Sequence, residues 1–104
     1  MELWIRSQDR ENLKKINTGF YLRQDLSDYA KGEVIFIVSG GDKLGEYETK
    51  ERALEVLDEI QKYIEKQGTN EILVNDNGIP NGSIYYGKVY EMPKEWWLNE
   101  MWNL

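Results

Sequence analysis

The sequence has 104 residues, enough for one domain that buries roughly two-thirds of its unfolded surface without a covalent staple. It holds no cysteine and no histidine, which excludes disulfides, thiolate chemistry and cysteine-based metal centres, and removes the commonest general base. Nineteen acidic against thirteen basic residues give a net charge of −6, a field that opposes non-specific binding to a nucleic-acid backbone.

The opening "MELWIRSQDREN" lacks a basic stretch followed by an apolar one, and no run approaches the roughly 20 apolar residues of a membrane span. These features predict a soluble, cytoplasmic protein with no membrane partner. "LWIRSQ", Leu3 to Gln8, alternates Leu3 and Ile5 against Trp4 and Arg6 and reads as a half-buried strand. "DRENLKK" then reads as a polar loop or a single helical turn. "INTGFYLRQDL", Ile16 to Leu26, reads as a second strand, with Gly19 at a bulge or close approach. "VIFIVS", Val34 to Ser39, is a continuous β-branched and aromatic run expected at the centre of a sheet, covered on both faces.

Gly40, Gly41 and Asp42 follow, and two glycines supply the positive φ angles of a tight turn, so Val34 to Glu48 reads as a hairpin. "TKERALEVLDEIQKYIEKQG" predicts a long helix with Thr49 as N-cap, Glu51 in its first turn and Gly68 beyond its end. Ala53, Val56, Leu57, Ile60 and Ile64 form one apolar stripe, and Asp58 is spaced to pair with Lys62 on the solvated side. "EILVN" is a short strand, "DNGIPNGS" holds two Asn-Gly turn signals, and "IYYGKVYEM" is a final strand whose period Gly87 breaks. With no repeat or linker, residues 1–104 read as one α+β domain. The expected architecture is an antiparallel sheet of five to six strands, one long helix packed on a face, and a short C-terminal amphipathic helix.

That last element is "KEWWLNEMW", within residues 94–104. On a helix beginning after Pro93, Trp97, Leu98, Met101 and Trp102 share one side and Glu95, Asn99 and Glu100 the other. About ten residues do not hold a helix alone in water, so the segment is expected to dock: on its own core, at a subunit interface, or beside a ligand. The interface residues expected are Trp97, Leu98, Met101 and Trp102, in a homo-oligomer.

"GGDKLGEY" spaces Gly40 and Gly45 as a phosphate-binding loop does, but Glu46 stands where lysine is needed and a strand follows where a helix should. "NDNGIPNGS" lacks the closing glutamate of a calcium loop. No carboxylate pair among the nineteen acids is singled out for catalysis, and no metal or cofactor site is expected. Arginine carries the most information, because its planar fork suits phosphate and carboxylate. Of four arginines, Arg6, Arg10 and Arg23 lie on or beside the first two predicted strands. If those strands are neighbours, Arg6 and Arg23 converge among Trp4, Tyr21 and Tyr29, and an anionic planar ligand such as a nucleotide would stack and pair there. The candidate ligand-binding residues are Arg6, Arg10, Arg23, Trp4, Tyr21 and Tyr85. The alternative is an edge strand decorated with solvated charge.

"LWIRSQDRENL", "LGEYETKERALEVLDEIQKYI" and "VYEMP" together resemble a family of small proteins of phages and prophages of Gram-positive bacteria, over about a third of the chain. The tail "KEWWLNEMWNL" departs from that family. The layout is also similar to the first Thoeris anti-defence family, whose members sequester cyclic ADP-ribose-type signals. The resemblance implies a non-catalytic counter-defence protein that holds a nucleotide immune signal, either cyclic ADP-ribose-type or a cyclic oligonucleotide. The alternative it leaves is an acidic protein–protein inhibitor of a host defence effector such as a CRISPR nuclease.

Overall fold

The computed structural model describes residues 2–95, and the predicted C-terminal helix with Trp97, Leu98, Met101 and Trp102 lies outside them. In chain order the elements are β1 (Trp4–Arg6), β2 (Leu13–Lys15), β3 (Phe20–Leu26), β4 (Glu33–Ser39), β5 (Asp42–Tyr47), α1 (Lys50–Glu65), β6 (Asn70–Val74), β7 (Pro80–Tyr85) and β8 (Val89–Glu91). The α+β class is as expected. The single sheet of five to six strands is not: the strands form three small sheets, ordered β2-β1-β8, β3-β4-β5 and β6-β7. One pairing, β1 with β8, is parallel.

The locally encoded elements stand where the residues put them. Thr49 caps α1, its hydroxyl accepting the Arg52 N–H at 3.1 Å, and Gly68 takes the left-handed φ of 84° beyond the end. Ala53, Val56 and Ile60 of the apolar stripe are buried and Leu57 and Ile64 partly so, which seats α1 on β4 and β5. Gly40 and Gly41, at φ 58° and 85°, close the β4–β5 hairpin. β4 is central and covered on both faces. Ile37 joins the main core with Leu3, Ile5, Leu44, Tyr47 and Tyr90, while Val34, Phe36 and Val38 form a second cluster on the opposite face.

Three expectations are corrected. "DRENLKK" contains β2, whose three residues pair antiparallel with β1; the lysines hide a strand that its neighbour stabilises. The long final strand breaks at Gly87, so that β7 pairs with β6 while β8 leaves for β1. Lys62 reaches across to Glu71 at 3.3 Å instead of along the helix to Asp58, because Glu71 is the more sheltered carboxylate and draws Lys66 as well, at 2.9 Å. Of the two Asn-Gly pairs, Asn77-Gly78 makes the β6–β7 turn, and Asn81-Gly82 lies inside β7 at a register shift.

Beside the shared core, one residue bridges the edges of the first two sheets. Gln8, 3% exposed, donates its amide N–H to the carbonyls of Glu46 and Pro93, both at 3.0 Å, and accepts the Glu46 N–H at 2.8 Å. Its own backbone N–H bonds to the Leu44 carbonyl at 2.9 Å. Gln8 thus extends β1 onto β5 as an extra strand residue would. Gly45 makes room for it: a Cβ there would lie 3.0 Å from the Tyr47 hydroxyl and 3.3 Å from the Gln8 Cβ.

Replacing Gln8 by alanine leaves the Glu46 N–H and C=O buried without partners, while the Pro93 carbonyl keeps the Tyr47 hydroxyl at 3.1 Å. We expect a loss of about 2–4 kcal/mol in urea unfolding with an unchanged m-value. Gln8→Glu, which keeps the shape but presents oxygens to two carbonyls, loses a similar amount. A loss below about 1 kcal/mol in either variant would contradict this role for the amide.

Candidate functional site

Alternation along β1 turns Ile5 into the core and Trp4 and Arg6 outward. In register, Lys15 and Val89 flank Trp4, and Leu13 and Glu91 flank Arg6. The outward face of this sheet is therefore an indole beside three aliphatic or cationic side chains and an arginine. The Trp4 indole N–H donates to the Glu2 carboxylate at 2.7 Å. That bond, followed by the charges of Lys15 and Lys88, holds the Glu2 carboxyl below its ordinary range.

Arg10 joins the group through the turn after β1. It is the one non-glycine with positive φ among the described residues, at 67°, and its carbonyl accepts a guanidinium N–H of Arg6 at 3.2 Å. The Arg10 guanidinium meets Glu91 at 3.5 Å, an open pair with both side chains more than half exposed. Arg6 and Lys15 thus share the outward face with Trp4, and Arg10 touches Arg6 at its edge, on a chain whose net charge is −6.

The remaining sequence candidates are elsewhere. β3 pairs with β4 and not with β1, so Arg6 and Arg23 stand on different sheets and do not converge through strand pairing. Tyr21 and Arg23 share the outward face of β3, opposite Val38 and Phe36, where Lys43 lies 4.3 Å above the Phe36 ring and Arg23 pairs with Asp25 at 3.6 Å. Tyr85 is 61% exposed on the β6–β7 hairpin. Tyr29 turns inward, to Asp9.

A polar cluster that the sequence does not advertise lies between the sheets. Glu46, 1% exposed, accepts the Ser27 hydroxyl and the Asp28 N–H, the latter at 3.1 Å; Ser27 in turn accepts the N–H groups of Tyr29 and Ala30. Asp9 accepts the Ser7 hydroxyl at 2.6 Å, the Glu11 N–H at 2.9 Å and the Tyr29 hydroxyl at 3.0 Å. The Ser-x-Asp pattern at residues 7–9 is the only local signal for it. The cleft these groups line, about 50 Å³, holds water and not a nucleotide, so the cluster is a clasp on the residue 27–32 turn. A larger groove of about 320 Å³ runs between β2 and β5, past Leu13, Lys14, Asp42 and Lys43, with Lys14 paired to Asp42. Among the described residues no cluster of acids suits a metal ion, and no helix is long and apolar enough to cross a membrane.

The clasp titrates at both ends of the pH scale. Burial opposes the charged Asp9 carboxyl but is outweighed by the Ser7, Glu11 and Tyr29 donors, so its folded value lies below the ordinary 3.8. Its contribution is present above that ordinary value and is lost as pH falls through the folded one. Burial first, and then the Asp9 carboxylate, push the Tyr29 phenol up to about 12. Its contribution is complete below about pH 10 and is lost as pH rises toward 12. In urea unfolding across pH, Asp9→Asn should flatten the acid limb and Tyr29→Phe the alkaline limb. Limbs unchanged in both variants would exclude the clasp as their origin.

No family model, no curated protein and no solved structure matches this chain.

Proposed function

We propose that this chain is a phage-encoded, non-catalytic counter-defence protein that sequesters an anionic nucleotide immune signal, of cyclic ADP-ribose or cyclic-oligonucleotide type. The observation that carries the reading is one sheet face that sets Trp4 beside Arg6 and Lys15, with Arg10 in contact with Arg6, on an otherwise acidic molecule. Arg6 and Arg10 pair with phosphate, and the Trp4 ring stacks on the base. The Arg10–Glu91 contact is too solvated to compete with a phosphate, since exposed pairs of this kind are worth about 1 kcal/mol or less. The absence of histidine and cysteine supports sequestration over turnover. The phage and immune setting comes from the resemblance of the three sequence blocks.

The second reading is an acidic inhibitor of a defence effector. It draws support from the solvent side of α1, where Glu51, Glu55, Asp58 and Glu65 are exposed and could occupy a basic groove. Salt separates the two, because a bound small molecule that is stacked as well as paired weakens less with ionic strength than an acidic face in a basic groove.

Calorimetry against a panel of cyclic nucleotides and ADP-ribose derivatives tests the first reading. Arg6→Ala should weaken binding about tenfold or more, the loss expected for a charge-assisted bond, with an unchanged melting temperature. Arg23→Ala, on the other sheet, should leave affinity as it is. A panel in which no compound binds would sink the proposal.

A further inference from the structure

The β6–β7 hairpin makes unusually little use of its own apolar residues. Ile72, Val74 and Tyr85, exposed by 67%, 59% and 61%, lie on its outward face, and Ile79 at its tip is 57% exposed. Leu73 and Ile84, each 38% exposed, lie on the face turned toward α1, where Glu71 is held by Lys62 and Lys66. A two-stranded hairpin is marginal in water by itself. Antiparallel alternation also turns half of the backbone N–H and C=O groups of β6 and β7 outward, and among the described residues no other strand pairs with either.

Charge selects the occupant. Between Asn70 and Tyr85 the chain has two charged residues, Glu71 and Asp76, although 31% of the whole sequence is charged. Glu71 faces α1 and Asp76 sits in the turn, so the strand residues of the outward face carry no charge. Two molecules that each carry −6 repel through α1, whose exposed row is Glu51, Glu55, Asp58 and Glu65; the hairpin face lets identical acidic chains meet without opposing carboxylates. Charge depletion with an exposed tyrosine is also the composition of an interface centre. The four apolar residues of the outward face and tip, Ile72, Val74, Ile79 and Tyr85, expose on the order of 500 Å² per copy, more than half of the ~800 Å² per partner of a standard interface.

We propose that this face is a self-association surface, on which a second copy of the chain packs Ile72, Val74 and Tyr85 against the same residues about a twofold axis. The contact is isologous, and therefore closes at two copies. It does not depend on what the Trp4 face binds.

Sedimentation equilibrium of the full chain over a concentration series tests it. The expected result is twice the 12.3 kDa of one chain, with Ile72→Glu raising the dissociation constant at least about tenfold or giving monomer, while far-ultraviolet circular dichroism stays unchanged. Should Ile72→Glu fail to fold, Tyr85→Ser removes area without adding charge and reads the same equilibrium. A mass of 12.3 kDa throughout, as when residues 96–104 of the same chain cover the hairpin, overturns the proposal. A dimer that persists in a folded Ile72→Glu or Tyr85→Ser variant overturns it equally.

Discussion

The two three-stranded sheets have no strand in common, and beside the apolar core they share, the carboxamide of Gln8 is the polar junction between them. Short strands of three residues, as in β1, β2 and β8, cannot build a core by pairing alone. The Gln8 amide, with both a donor and an acceptor, satisfies the Glu46 N–H and C=O together, a double bond pattern that otherwise needs a peptide. Glu46 repeats the economy at its other end, where its carboxyl gathers the Ser27 hydroxyl and the Asp28 N–H. One buried residue pair therefore joins β1, β5, the 27–32 turn and the segment leaving β8. Each of its buried side-chain polar atoms has a hydrogen-bond partner, which a low-dielectric interior requires.

The position of the Trp4 face follows from that junction. With Gln8 locked to β5 and Ile5 in the core, β1 has one register open to it, and a slip by one residue would bury Trp4 and Arg6. The return of the chain as β8, in parallel beside β1, sets Val89 and Glu91 next to the same two side chains. Arg10 enters through a turn held by the Ser7, Asp9 and Asn12 bonds. Cations brought together from β1, its turn and β2 are thus a product of tertiary pairing. The acidity of the rest of the chain gives the group its contrast.

Elements encoded by neighbouring residues were legible. The α1 stripe with its Thr49 cap, and the Gly40-Gly41 turn between β4 and β5, needed only local periodicity and backbone conformation. Partner choice was not legible: β1 meets β8 across more than eighty residues, and nothing in "LWIRSQ" distinguishes that neighbour from β3. Hence the convergence of Arg6 with Arg23, which requires their strands to be neighbours, does not arise from the pairing, and Arg6 meets Arg10. Gln8 and Glu46 read as surface letters, because a polar side chain shows its burial only through partners distant in the sequence. The exposure of the aliphatic residues of β6 and β7 is equally invisible locally, for a run such as "EILV" marks a strand and not what covers it.

The most direct measurement of the central claim is hydrogen exchange at the Glu46 amide, followed by NMR. That N–H has no backbone acceptor in this account; its partner is the side-chain oxygen of Gln8 at 2.8 Å. Protection as strong as that of the core amides of β4 is expected, with selective loss of protection at Glu46 in Gln8→Leu. Rapid exchange of the Glu46 amide in the unaltered chain, like that of a solvent-exposed loop, would contradict it.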